Sequence, residues 1–72
     1  MNVASIRVKI KVLNTIQSRF ELNNSQMAVK IGVDKTMLWR IKTERNNPGA
    51  EFIAKFLLAF PEMKFEDVFF IE

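Results

Sequence analysis

The twenty residues from Asn24 to Thr43, NSQMAVKIGVDKTMLWRIKT, constrain this chain most, because two short stretches of apolar periodicity meet there at a single glycine. Met27, Ala28 and Ile31 recur at helical spacing and give the first stretch one buried side. Gly32 ends that helix, where glycine tolerates positive φ. Asp34 follows as an N-cap, and Leu38 and Ile41 lie three apart on the inner side of a second helix, Lys35 to about Thr43. Helices joined by so short a turn must cross closely. Ala28 supplies the small residue at the crossing, Gly32 the free backbone four positions later, and Val33 a plug for the angle between the helices. Leu38 and Ile41 then meet Met27 and Ile31. Seven positions satisfy this packing at once (Met27, Ala28, Ile31, Gly32, Val33, Leu38 and Ile41), with a cap at each helix start.

The flanking segments are organised around that unit. Ile6, Val8, Ile10 and Val12 alternate with Arg7, Lys9 and Lys11, a period-two pattern typical of a half-buried strand. Leu13, Ile16 and Phe20 then fall at helical spacing, so a helix is expected from somewhere between Lys9 and Leu13 to about Leu22. Asn23 as N-cap with Gln26 three residues on predicts a capping box. After a polar loop from Glu44 to Pro48, Gly49-Ala50 opens a fourth helix, with Ile53, Leu57 and Phe60 expected on one face and Phe52 and Phe56 flanking it. Pro61 stops it. Phe65 to Phe69 reads as one helical turn and Phe69-Phe70-Ile71 as extended. The apolar ends, Ser5–Ile10 and Val68–Ile71, are expected to pair antiparallel and pack on the last two helices; the alternative is that residues 5–12 simply begin the first helix. The expected fold is thus an all-α bundle of four to five helices in one domain, residues 1–72, with short pairing strands at its ends.

Composition narrows the function. Seventy-two residues bury only about 60% of the surface of the unfolded chain, so stability must come from an apolar core, and 49% of residues are hydrophobic, seven of them Phe. There is no Cys and no His, so disulfides, thiolate metal sites and the usual imidazole base are excluded. No nucleophile–base pair or phosphate-cradling glycine loop is visible; no catalytic residue, metal or cofactor is expected. Met1 to Val12 lacks the apolar run of a signal peptide and no stretch approaches a membrane span, which with the absent Cys predicts a cytoplasmic protein. Charge is polarised. Residues 1–22 carry +3 (Arg7, Lys9, Lys11 and Arg19 against Glu21), and residues 23–50 also carry +3 (Lys30, Lys35, Arg40, Lys42 and Arg45 against Asp34 and Glu44). Residues 51–72 carry −3, from Lys55 and Lys64 against Glu51, Glu62, Glu66, Asp67 and Glu72. A basic front and an acidic tail suit a chain that turns one face to a polyanion.

From Leu13 to Phe69 the sequence resembles the Cro/phage-repressor (XRE-type) helix-turn-helix family. Arg45-Asn46-Asn47-Pro48 and the segment FIAKFLLAFPEMKFEDVFF are similar to the loop and last two helices of small regulators in phages and mobile elements of Gram-positive bacteria. The resemblance implies a lambda-repressor-like bundle that binds double-stranded operator DNA as a homodimer, one recognition helix per major-groove half-site. An antagonist protein is a further partner it allows; a membrane is not. It places Lys35, Thr36, Trp39 and Arg40 at base edges, where Lys and Arg suit guanine and Thr a thymine methyl. It places Asn24, Lys42, Arg45, Asn46 and Asn47 at phosphates. Two departures stand out. Thr43-Glu44 replaces the family's frequent Asn-Gly, and a Glu there repels phosphate; Gly49 replaces a Ser or Thr cap.

Each assignment has a plainer reading. Lys35, Arg40, Arg19, Lys30 and Lys42 also fit solvated surface charges, Thr36 a first-turn support, and Trp39 a half-exposed edge of the core or a protein contact. The Phe cluster is core or interface packing. Two rival functions remain open on the same fold: an antitoxin-type accessory module, and a protein-interaction domain without DNA binding.

Overall fold

The computed structural model describes residues 4–72; residues 1–3, part of the amino-terminal stretch read above, lie outside them. Along these residues the order is β1 (Ile6–Val8), α1 (Ile10–Arg19), α2 (Asn24–Ile31), α3 (Lys35–Lys42), α4 (Ala50–Ala59), α5 (Phe65–Val68) and β2 (Phe69–Ile71). No helix among them is long and apolar enough to cross a membrane. The arrangement is a small helical bundle with a two-stranded antiparallel sheet joining its ends.

The first helix starts at the early edge of the expected window, because Ile10 is already in phase with Leu13 and Ile16. The strand alternation therefore stops at Val8 rather than running to Val12, which is a half-buried helical residue. Lys9 makes the corner with extended backbone, its N–H donating to the carbonyl of Val68 at 2.7 Å. The same helix ends at Arg19, short of Leu22. Glu21 adopts positive φ (54°), and the N–H of Leu22 closes onto the carbonyl of Gln17.

Around the central glycine the local expectations hold. Asn23 accepts from the N–H of Gln26 while the Gln26 side chain accepts from the N–H of Asn23, a complete capping box. Gly32 is left-handed at φ 91°, and its N–H and that of Val33 both bond the carbonyl of Ala28. Asp34 precedes α3 with extended backbone, yet its side chain makes no capping bond. Gly49 stands at the N-cap of α4, likewise without a side-chain bond.

The core corrects one face. On α4 the buried residues are Phe52 and Phe56, followed by Phe60 just past its end, whereas Ile53 and Leu57 are half-buried at its border. Two apolar stripes lie about 100° apart on this helix, and the one carrying the larger rings turns inward because rings remove more area from water. Phe69 meets both Phe52 and Phe56 edge-on, with centroids 6.5 and 5.8 Å apart. Met27, Ala28, Ile31, Leu38 and Ile41 are all buried in the same core, and Val33 packs on it half-buried. In the sheet Ile6 pairs with Ile71, Arg7 with Phe70 and Val8 with Phe69. Val8 and Phe69 share the inward face, which seats the sheet on the Phe cluster.

Candidate nucleic-acid interface

Burying Leu38 and Ile41 decides what the rest of α3 does. With 3.6 residues per turn, a helix anchored by those two side chains must present Lys35, Thr36, Trp39 and Arg40 elsewhere, and all four are exposed. Lys35, Thr36 and Trp39 line one shallow depression together with Asn24, the first residue of α2. Two ammonium- or amide-bearing side chains thus flank an indole and a hydroxyl on a single surface. Trp39 is 45% exposed, a large ring left half in water.

Arg45 joins this surface. Its guanidinium carbon lies 4.8 Å from the Trp39 ring centroid, a cation–π stack. The backbone beneath it is fixed, since the N–H groups of Arg45 and Asn46 both donate to the carbonyl of Arg40. Asn46 and Asn47 go elsewhere: they border a crevice with Arg7, Val8, Ile10, Ile41, Glu44 and Pro48 rather than the depression beside Trp39.

Lys42 differs from the other cations of α3. It is half-buried, and its ammonium donates to Oδ1 of Asn24 (2.9 Å) and to Oε1 of Gln17. Gln17 in turn donates from Nε2 to the same Asn24 oxygen at 2.9 Å. Burial lowers the pKa of Lys42 below the ordinary lysine value, because desolvation penalises the ammonium. Gln17 is a residue that sequence reasoning passed over; a lone polar residue inside an amphipathic helix carries no signal of a cross-helix partner.

Glu44 is handled by Arg7. It occupies a left-handed position at φ 61°, and its carboxylate lies 3.6 Å from the guanidinium of Arg7, which also bonds Glu72 at 2.9 Å. The acidic side chain after α3 is thus drawn towards the terminal sheet.

Comparison of the chain with family models, with curated proteins and with solved structures found no match.

Proposed function

We propose that the chain is a binding protein, not an enzyme: a cytoplasmic regulator of the repressor/Cro type that recognises double-stranded DNA by laying α3 in the major groove. One observation carries the reading. Lys35, Thr36, Trp39 and Arg40 are exposed on α3 while Leu38 and Ile41 hold it against the core, and Asn24 of α2 borders the same depression. A helix about 10–12 Å across with its side chains suits a major groove about 12 Å wide. In this reading Lys35, Thr36, Trp39 and Arg40 meet base edges. Asn24 and Arg45 meet phosphates beside the depression, and Asn46 and Asn47, exposed at the separate crevice bordered by Arg7, meet the backbone further along. The resemblance of the sequence to the Cro/phage-repressor family points the same way. A homodimer fits the exposed Phe70 and Ile71 of β2, where apolar side chains stand on a strand with no neighbour beyond β1 among the described residues.

Retention of a randomised duplex library at near-physiological salt tests the reading. An enriched inverted repeat with half-sites about one helical turn apart is the expected result. Arg40→Ala is then expected to cost about 1–3 kcal/mol and relax one base position, whereas Arg45→Ala weakens all sequences alike and lowers the salt slope. No retention even at low salt would falsify the proposal.

A protein-interaction role is the second reading, favoured by two large apolar side chains left partly in water on different sides of α3, Trp39 at 45% and Met37 at 41% exposed. It predicts that Lys35→Glu and Arg40→Glu leave function intact and that a partner protein co-purifies.

A further inference from the structure

Lys42 carries a charge that the surface of α3 does not display. Its ammonium is directed into the junction of three helices, bonded to Gln17 of α1 and to Asn24 of α2. Among the described residues, three of the four hydrogen bonds between side chains belong to this cluster; the fourth joins Arg7 to Glu72. The consequence falls on Asn24. An amide has one acceptor oxygen and one donor nitrogen, and here the oxygen accepts two bonds from within the protein, from Gln17 Nε2 and Lys42 Nζ. That fixes which end of the amide is which. The oxygen is spent inward, and the NH2, which makes no bond to the protein among the described residues, is left as the group Asn24 can offer outward at the depression it lines with Lys35, Thr36 and Trp39. An NH2 donates, and a phosphate oxygen only accepts.

We propose that Lys42, with Gln17, is a positioning residue that locks the Asn24 amide with its NH2 outward for a DNA backbone phosphate, and does not itself touch the phosphate. The inference rests on the DNA-binding reading above and replaces the direct phosphate contact that the family resemblance implies for Lys42. It explains why a lysine stands at the end of α3 half-buried between two amides. A methylene chain with a terminal ammonium reaches both oxygens at once, and both bonds are charge-assisted. Tying α1, α2 and α3 together at one point also fixes the angle at which α3 leaves the core.

The test separates positioning from contact by salt dependence and by coupling. A lysine that binds a phosphate releases counterions, so losing it lowers the slope of log K against log salt by about 0.9. Affinity is measured for the wild type, Lys42→Met, Asn24→Ala and the double variant, on the duplex enriched from a random library or, failing enrichment, on mixed-sequence duplex DNA. Lys42→Met keeps the apolar stem and is expected to weaken binding several-fold while the slope changes by less than half that amount. The double variant is expected to bind no more weakly than Asn24→Ala alone. Asn24→Asp guards against a folding artefact: it keeps an oxygen for Gln17 and Lys42 and should unfold at the same or higher urea concentration, yet bind at least tenfold more weakly. A slope lower by a full phosphate, multiplicative losses in the double variant, or unchanged binding by Lys42→Met each overturns the inference while leaving the DNA-binding reading in place. Failure of the wild type itself to retain DNA removes both, and only that result does so.

Discussion

The indole of Trp39 and the guanidinium of Arg45 are stacked 4.8 Å apart, and under the proposed DNA-binding reading the stack would make them one unit instead of two separate contacts. A stacked guanidinium has lost much of its rotational freedom before it meets a phosphate, so the ring lowers the ordering cost of that contact. Trp39→Ala is therefore expected to weaken binding to every duplex, as Arg45→Ala does, in addition to any change at one base. Salt titrations of the two single variants and the double variant check this: the double variant should lose clearly less than the product of the single losses. Independent losses would mean that Trp39 acts on the bases alone. Glu44 offers a second residue-scale case. A non-glycine residue at φ 61° is strained, and the Arg7 ion pair that holds it is solvent-accessible and weak. Glu44→Asn keeps a side chain that tolerates the left-handed region, so urea denaturation should show a gain of about 0.5 kcal/mol. Removing its negative charge next to α3 should also raise non-specific affinity for DNA.

At the scale of the elements, the two helices of the central unit begin in different ways. Asn23 and Gln26 make both bonds of a capping box at the start of α2, so Asn23→Ala should cost about 1 kcal/mol. Asp34 occupies the same position before α3 and makes no capping bond, so Asp34→Ala should cost well under half as much by the same urea measurement. Gly32→Ala tests the turn between them. A Cβ there meets only Cδ of Lys55 at 3.9 Å, so the penalty is backbone strain at φ 91°, about 1–2 kcal/mol, without a steric clash. These features were legible in the sequence because they are local: Asn23 to Gln26, the Gly32 turn and the Gly49 cap are each settled within a few residues. The rings of α4 were not. Phe52 and Ile53 are neighbours on two competing apolar stripes, and which one turns inward depends on Phe69, far along the chain. The same distance hid the polar ties. Nothing in the periodicity of α1 joins Gln17 to Lys42, and nothing in β1 joins Arg7 to Glu44, because a hydrogen bond or ion pair between distant elements leaves no repeat in a sequence. The candidate surface on α3 was legible to the extent that Leu38 and Ile41 fix its inner side. That the Lys42 ammonium bonds Gln17 and Asn24 was not legible, because a lysine at the end of a helix looks the same whether it faces solvent or reaches inward.

Taken as a whole molecule, the chain is closed by its ends. Ser5 and Glu72 exchange backbone hydrogen bonds at 3.1 and 2.9 Å, Arg7 pairs with Phe70, and Arg7 also bonds Glu72 across 65 positions of sequence. A two-stranded ribbon alone is marginal in water. Here it persists because Val8 and Phe69 seat its inner face on Phe52 and Phe56, so sheet and helices share one core. The sharing has a consequence for cooperativity. Deleting Phe70 to Glu72 spares every fully buried side chain but removes the strand pairing, and the lost backbone bonds should lower stability by about 2 kcal/mol. Trp39 fluorescence reports on α3, at some remove in sequence from the sheet, while far-UV ellipticity reports on all the helices. If the ribbon belongs to the single cooperative unit, both signals shift to lower urea by the same amount and their transitions stay superimposed. Should the transitions separate, with ellipticity falling before the fluorescence changes, then α1 and α5 would have come loose from a central unit able to stand alone. No shift in either signal would show that Val8 and Phe69 hold the ends without help from the pairing. The expected outcome is the joint shift.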